Sequence, residues 1–300
     1  EGVAHIAYFF DDNDGTSDGY LMMASRHAGT WQREDVDDAS ITGINPSIAI
    51  DEDGLAHIAY YDQTNADLRY ARQLTPDGWS LTTMDSTGDV GFSPSLALDS
   101  LQLPHIAYRD ATNGTLKYAS FDGAAWQVVT VPGTSNFFSN SSVSLALTGA
   151  NLPRIAYRQS SGPQLVLGLG FAAFDGSTWT VETAVSSSAV AEQFSLALDG
   201  ADVPHISFMD SSIGLRYTQK NPGWMANPDT VAANILAGSQ NNLALDPSGR
   251  PRIVYFDSST SPYTIKYAYK DVSTWRLEQL ASNAGSPDLA KLINSLSRNS

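Results

Sequence analysis

A four-residue pattern that returns six times constrains this chain more than any other feature. Each copy has a basic residue, Ile, a small or apolar residue and an aromatic residue, and the copies begin at His5, His57, His105, Arg154, His205 and Arg252. Their spacings are 52, 48, 49, 51 and 47 residues, which gives a repeat of about 49 residues. A unit of that size with four short strands is typical of one blade of a β-propeller.

The third copy displays the predicted unit most clearly. Strand A is expected over 94–99, strand B over 104–110, strand C around 116–119 and strand D from Trp126. The tryptophans support this register, because all six are expected at the start of a strand D: Trp31, Trp79, Trp126, Trp179, Trp224 and Trp275. We therefore predict an all-β chain with a single domain over 1–300, a six-bladed β-propeller of four-stranded antiparallel blades.

The two ends of the chain bear on how such a ring closes. The first copy begins inside the predicted A–B turn, so blade 1 lacks its own strand A, and an unpaired strand edge is unfavourable. The C-terminal tail, 283–300, is expected to supply that strand. Two registers compete: 286–290 resembles 93–97, and 294–297 resembles 241–244. We favour a short helical turn followed by a closing strand near 294–298. The alternative is a fragment with a disordered end.

The predicted C–D hairpins carry a family resemblance. Residues 174–179 read Phe-Asp-Gly-Ser-Thr-Trp, and 121–126 read Phe-Asp-Gly-Ala-Ala-Trp. This resembles the Asp-box of sialidase-like repeats, and the chain as a whole is similar to bacterial six-bladed β-propeller repeat proteins. The match is partial, because Asp and Gly are adjacent here. The resemblance implies a structural turn away from the functional face, and fold alone does not assign an activity.

Composition excludes several classes of function. The chain has 32 acidic and 17 basic residues, a formal net charge of −15, so we expect no nucleic-acid partner. No apolar run is long enough to span a bilayer, and we expect no membrane insertion. The absence of cysteine excludes disulfides and thiolate metal sites. A composition poor in Lys and rich in Asp, Ser and Thr favours a secreted or cell-surface protein.

Two recurring polar positions are candidates for chemistry. His5, His57, His105 and His205 share one position in strand B, where recurrence favours packing over a metal site, since zinc needs three or four converging ligands. Carboxylates end strand B in four other places: Asp62, Asp110, Asp210 and Asp257. They are interpreted as caps of the B–C turn. The alternative is an acidic ring on the face formed by the B–C and D–A loops.

The loop after the first strand B is the candidate metal site. Asp12, Asp14 and Asp18 have a spacing similar to the calcium loops of integrin-type propeller repeats, although Phe10 stands at the first ligand position. Hard cations need several oxygen ligands on a flexible loop. Ca²⁺ is therefore a candidate cofactor, and a solvated acidic loop is the alternative. No other cofactor is required.

A ligand pocket must break the six-fold pattern somewhere. After the strand-B aromatic, two copies carry Arg109 and Arg158, which are candidates to hold an anionic group of a ligand. Tyr61 and Phe256 occupy the same position in other copies and are candidates to stack on a sugar ring. The proposed ligand-binding set also includes Asp210 and Asp257.

These observations favour a non-enzymatic module that recognises a glycan or a protein through the B–C/D–A loop face. One alternative is a polysaccharide hydrolase or lyase, a sialidase-like propeller enzyme, acting through Arg109, Arg158, Asp62, Asp110 and Tyr61. A third interpretation is a non-catalytic scaffold subunit that docks through the apolar segments 137–138 and 164–171.

Overall fold

The computed structural model describes residues 3–11, 19–39, 41–75, 78–134, 142–161, 166–235, 240–257, 259, 261 and 263–282. These residues form 23 strands and no helix. The strands are β1 (Ala4–Phe10), β2 (Tyr20–His27), β3 (Thr30–Asp37), β4 (Ile44–Ile50), β5 (Ala56–Asp62), β6 (Asp67–Thr75), β7 (Gly78–Asp85), β8 (Val90–Leu98), β9 (Pro104–Asp110), β10 (Thr115–Phe121), β11 (Trp126–Thr130), β12 (Val143–Leu147), β13 (Pro153–Ser161), β14 (Val166–Phe174), β15 (Trp179–Ser186), β16 (Val190–Leu198), β17 (Pro204–Asp210), β18 (Gly214–Gln219), β19 (Asp229–Ala233), β20 (Asn241–Leu245), β21 (Pro251–Asp257), β22 (Thr264–Asp271) and β23 (Thr274–Ser282).

The strands form six antiparallel sheets, which we number 1 to 6 in chain order. Sheet 1 is β1-β2-β3, and the next five each contain four successive strands, which we call A to D. The three strands of sheet 1 correspond to B, C and D, as the truncated first copy of the repeat predicts. The predicted closing segment, 283–300, lies outside the described residues.

The contact pattern divides the chain into two compact units, Glu1–Ser139 and Asn140–Arg298. The first unit holds sheets 1 to 3, and the second holds sheets 4 to 6. Within each unit, apolar side chains of consecutive sheets pack into shared clusters. A single domain over 1–300 stays a prediction.

Strand B is the most buried strand of a sheet. Every residue of β5, β9 and β17 is buried, and the aromatic side chains of Tyr60, Tyr108 and Phe208 are fully buried. Strand B lies between two hydrogen-bonded neighbours, and both of its faces are covered, so its sequence is almost continuously apolar. Strand D is an edge and keeps exposed side chains such as Leu277 in β23.

A serine in strand A links consecutive sheets. The hydroxyl oxygen of Ser47 accepts a hydrogen bond from the Leu96 amide at 2.9 Å, and Ser144 accepts one from the Leu196 amide at 3.0 Å. Ser195 repeats the contact in sheets 5 and 6. These bonds satisfy buried amides that face the neighbouring sheet, so each strand A is tied to the next within its unit.

All six tryptophans keep the predicted pairing register, but one strand D is interrupted after its tryptophan. Five of the six lie at the start of a strand D, but Trp224 forms only an isolated bridge with Lys220, and β19 begins at Asp229. Pro222 and Pro228 lack the amide hydrogen that a strand pairing requires, so the ladder starts only after the second proline. Trp224 pairs with Lys220 as Trp275 pairs with Lys270, so its predicted position is kept, and only the strand that follows it is interrupted.

Candidate functional site

The carboxylates that end strand B cap the turn to strand C. Asp62 accepts hydrogen bonds from the amide and side-chain nitrogens of Asn65 at 3.1 and 2.8 Å. Asp110 and Asn113 repeat this arrangement, with both distances at 2.8 Å. Asp210 and Asp257 instead accept from a serine two residues later. All four carboxylates are buried. These contacts agree with the interpretation of the four carboxylates as caps of the B–C turn, and they leave little of each carboxylate exposed to a ligand.

Strand C places a basic side chain beside each of these carboxylates. The four basic residues are Arg69, Lys117, Arg216 and Lys266, and each lies within 4.0 Å of the strand-end carboxylate of its own sheet. Sequence analysis missed these pairs. The available signal was a basic residue between an apolar residue and a tyrosine in four copies of strand C, as in Leu116-Lys117-Tyr118. Burial of a lone carboxylate is unfavourable, and the basic partner offsets that cost.

In sheets 2 and 3 the network extends to the preceding sheet. Asp37, which ends β3, accepts a hydrogen bond from the Tyr60 hydroxyl at 2.5 Å and lies 2.8 Å from Arg69. Asp85, which ends β7, accepts one from Tyr108 at 2.7 Å. Lys117 contacts Asp85 at 2.5 Å. Each network holds one tyrosine, one cation and two carboxylates.

The protonation of these groups follows from their partners. Burial raises the pKa of the Tyr60 and Tyr108 hydroxyls, and the neighbouring carboxylates raise it further. Burial also raises the pKa of the Asp85 carboxyl, but hydrogen bonds from Lys117 and Tyr108 outweigh burial, so its pKa lies below its ordinary value. The tyrosines therefore stay neutral donors and Asp85 stays ionised, which suits an interior link between sheets.

Tyr61 and Arg109 belong to an aromatic and charged cluster between sheets 2 and 3. The Tyr61 ring stacks on Phe92 with the ring centroids 4.0 Å apart, and its hydroxyl donates to Asp89 at 2.9 Å. The Arg109 guanidinium lies 5.5 Å from the centre of the Phe92 ring. Tyr61 and Arg109 are 4% and 6% exposed. Tyr61 was expected to stack on a sugar, but it stacks on Phe92, because strand A of the next sheet covers it.

Arg158 and Phe256 occupy the same position in their own sheets as Arg109 does in sheet 3. Arg158 is half-buried in β13. Arg109 and Arg158 belong to different units, and their joint action on one ligand stays a prediction. The half-buried Phe256 ring meets Tyr263 edge to face, with the centroids 5.4 Å apart. Tyr263 precedes β22 at the B–C end of sheet 6 and is 42% exposed.

The strand-B histidines are buried inside their own sheets. Nδ1 of His57 lies 2.5 Å from the Tyr70 hydroxyl oxygen, and its Nε2 lies 3.3 Å from Asp51. His105 and His205 repeat both contacts, and His5 contacts Ser25 at 2.8 Å. Burial lowers the pKa of all four histidines. Repeated packing and hydrogen bonding therefore account for this position.

The calcium and scaffold hypotheses fall largely outside the described residues. Asp12, Asp14 and Asp18 all lie there, so calcium binding stays a prediction. Within the described part of the chain, no group of three or more His, Asp or Glu side chains is arranged to hold a metal. Of the apolar segments proposed for docking, Leu169 and Phe171 are buried core of sheet 4. Residues 137–138 and 164–165 are not described.

The two C–D hairpins that resemble an Asp-box are capped by their aspartates. Asp175 accepts hydrogen bonds from the amides of Ser177 and Thr178 at 2.8 and 2.7 Å. These bonds hold the pKa of the Asp175 carboxyl well below its ordinary value. Asp122 accepts from two amides in the same way. Both aspartates act as turn caps, which is the structural role that the resemblance implied.

Comparison with known proteins establishes the fold class. No family model and no curated protein sequence matches the chain, so the sialidase-like part of the resemblance has no support from sequence. The chain is similar in structure to a fucose-recognising six-bladed lectin of Aleuria aurantia, with 13% identity, a TM-score of 0.53 and coverage of 81% of this chain and 79% of the lectin.

Two further structures cover more of the chain. The SapL1 lectin, solved with α-methyl fucoside, has 14% identity and a TM-score of 0.56, and the alignment covers 94% of this chain and 97% of that one. An ulvan lyase, solved with a sugar ligand, has 12% identity, a TM-score of 0.65 and coverage of 94% and 81%. The fold is an all-β, six-bladed β-propeller. At such low identity, these likenesses carry the fold alone.

Proposed function

We propose that the chain is a non-enzymatic glycan-binding module that contacts its ligand through the B–C/D–A end of its sheets. The observation that carries this proposal is the position of Tyr263. Among the described residues, only Trp31 and Tyr263 are exposed aromatic side chains, and Tyr263 alone lies at the B–C end of its sheet. An exposed ring with a polar hydroxyl suits a ligand that has both apolar and polar faces, as sugars have.

The supporting contacts come from the same end of the sheets. The Phe256 ring packs against Tyr263 edge to face. Arg158, half-buried in β13, offers a polar contact at the equivalent end of sheet 4 in the same unit. The fucose-binding lectins of similar fold support this proposal. A secreted or cell-surface location is part of the proposal, since glycans are presented there. The described part of the chain contains no helix long and apolar enough to cross a membrane.

The test is a glycan array followed by calorimetric titration of the best ligand. Tyr263→Ala is expected to weaken binding about tenfold, which corresponds to about 1.4 kcal/mol. Trp31→Ala is the matched control, because Trp31 is 41% exposed but lies at the C–D hairpin, the opposite end of its sheet. It should leave the affinity unchanged. Equal losses in both variants, or no binding to any glycan, would refute the proposal. In the second case, a protein partner or a scaffold role becomes the leading interpretation.

The alternative of a polysaccharide hydrolase or lyase receives less support from the geometry. Asp62 and Asp110 are buried turn caps. The Tyr61 hydroxyl is bonded to Asp89, and burial raises its pKa, which makes it a poor base at neutral pH. We therefore expect no turnover when uronic-acid and sulfated polysaccharides are incubated with the protein and new chain ends are measured. Turnover that Tyr61→Phe or Arg109→Gln abolishes would favour the enzyme instead.

A further inference from the structure

One register position near the end of strand D differs between sheets in an informative way. It lies opposite a Leu or Ile near the start of strand C, and we call it the carboxylate position. In sheets 1 and 2 it holds Asp37 and Asp85, opposite Leu21 and Leu68. In sheets 4 and 5 it holds apolar residues, Val185 opposite Leu169 and Ala232 opposite Leu215.

Sheets 2 and 3 display what a carboxylate at this position does. Asp37 receives the Tyr60 hydroxyl and the Arg69 guanidinium, and Asp85 receives the Tyr108 hydroxyl and the Lys117 ammonium group. The carboxylate therefore accepts from two donors of the following sheet, a tyrosine of strand B and a cation of strand C. Sheet 5 lacks both sides of the tyrosine contact, because Phe208 replaces the tyrosine and Val185 replaces the carboxylate.

Sheet 6 keeps the donors and lacks the acceptor. Tyr255 and Lys266 lie opposite each other in β21 and β22, as Tyr60 and Arg69 do in sheet 2, but the preceding sheet offers Ala232. Tyr255 is fully buried and packs in one apolar cluster with Ala232. Within the part of the chain that the structure describes, its hydroxyl has no hydrogen-bond partner. A buried hydroxyl without a partner is rare and costly.

The side chains of Thr264 and Lys266 lie on the same face of sheet 6 as Tyr255. Thr264 lies opposite Asp257 in the same pair of strands, two residues from Lys266, and therefore projects from the same face of the sheet. Thr264 is 6% exposed, and its hydroxyl also has no partner among the described residues. Lys266 lies 2.6 Å from Asp257. The corresponding distances in sheets 2 and 3 are 3.7 and 4.0 Å, where the cation also contacts the carboxylate position.

We propose that a carboxylate group of a ligand binds beside Ala232, with the Tyr255 hydroxyl and the Lys266 ammonium group as its donors. Asp257 does not forbid this, since Arg69 and Lys117 each lie between two carboxylates in sheets 2 and 3. The Lys266 side chain is 26% exposed. The ligand is a free small carboxylate or the carboxyl group of a uronic acid in a glycan. The proposal does not rest on glycan binding through Tyr263.

The experiment follows the thermal unfolding of the full chain at constant ionic strength, because the net charge of −15 makes anion binding sensitive to salt. The probes are sodium acetate against sodium chloride, and methyl glucuronide against methyl glucoside. Binding to the native state raises the midpoint in proportion to RT ln(1 + [L]/Kd). We expect acetate, the glucuronide or both to raise the midpoint, and the chloride and glucoside controls to leave it unchanged.

Two variants locate the site. Tyr255→Phe removes only the hydroxyl and should abolish the carboxylate-dependent shift. Ala232→Asp supplies the chain's own carboxylate, as Asp37 and Asp85 do, and should raise the midpoint of the ligand-free protein while abolishing the shift. Ala281→Asp is the matched control, because Ala281 lies opposite Ile265 at the carboxylate position of sheet 6 and is exposed. Carboxylates should raise the unfolding midpoint of Ala281→Asp as much as they raise that of the unmodified chain.

The outcomes separate the sources of the ligand and the competing proposals. A shift with acetate alone assigns a free small carboxylate, and a shift with the glucuronide assigns a uronic acid. No shift beyond chloride, or a full shift in Tyr255→Phe, overturns the site. If Ala232→Asp fails to fold, Tyr255→Phe decides by itself, because it preserves the shape of the ring. If carboxylates still raise the unfolding midpoint of Tyr263→Ala, the carboxylate site is supported even when glycan binding through Tyr263 is refuted.

Discussion

Removal of a single hydroxyl distinguishes the tyrosines that link sheets from the one that lacks an acceptor. Tyr60→Phe deletes the donor to Asp37 at 2.5 Å, while Asp37 keeps its contact with Arg69. Tyr255→Phe deletes a hydroxyl that has no partner among the described residues. Both rings are fully buried, so the two variants lose the same atom from equally covered positions.

The two variants are expected to change the free energy of unfolding differently. A hydrogen bond to an ionised acceptor contributes about 1.5–3 kcal/mol, so Tyr60→Phe should lower the free energy of unfolding by that amount. At about 2 °C per kcal/mol for a chain of this length, the melting midpoint should fall by about 3–6 °C. Tyr255→Phe removes a buried hydroxyl whose desolvation is not offset, so the free energy of unfolding should stay constant or rise by about 1 kcal/mol.

Differential scanning calorimetry in a buffer free of carboxylates is the appropriate assay. It resolves separate transitions if the two compact units unfold independently, and the sheet-2 variant should then affect the unit that contains sheets 1 to 3. Tyr108→Phe should repeat the loss, because its hydroxyl donates to Asp85 at 2.7 Å. An equal loss of stability in Tyr60→Phe and Tyr255→Phe would refute the reasoning.

Three further predictions use the same calorimetric measurement. The pKa of the strand-B histidines lies below the ordinary value of 6.5, so these side chains bind protons in the unfolded chain before they do in the folded chain as the pH falls. The free energy of unfolding should therefore decline from pH 6.5 downward, before the carboxylates titrate. A flat profile between about pH 7 and 5 would contradict this. Ser195→Ala leaves a buried amide without its acceptor and should cost about 1–3 kcal/mol, whereas the exposed Ser80→Ala should change little. Gly91→Ala places a Cβ 2.6 Å from the β6 backbone at φ +102° and should cost more than about 1 kcal/mol, while Gly200→Ala meets nothing within 4 Å and is the control.

The sequence by itself determined the number of sheets and the identity of most strands. Each copy repeats the alternation and turn residues of its own four strands, and these are local signals. The buried strand B, the turn-capping role of Asp62 and the packing role of His57 could all be predicted, because each position recurs in equivalent surroundings. The interruption of strand D after Trp224 was not predicted, and it arises because β19 begins only after Pro228.

Only the tertiary structure decided how consecutive sheets contact each other. Tyr60 and Asp37 lie in different copies of the repeat, and no periodicity within one copy connects them. Tyr61 reads as an exposed ring for a sugar, yet Phe92 of the next sheet covers it. The missing acceptor of Tyr255 becomes visible only when Ala232 is placed at the carboxylate position of the preceding sheet. The physical reason is that burial and hydrogen-bond satisfaction depend on the neighbouring sheet, whereas the repeat encodes the sheet itself.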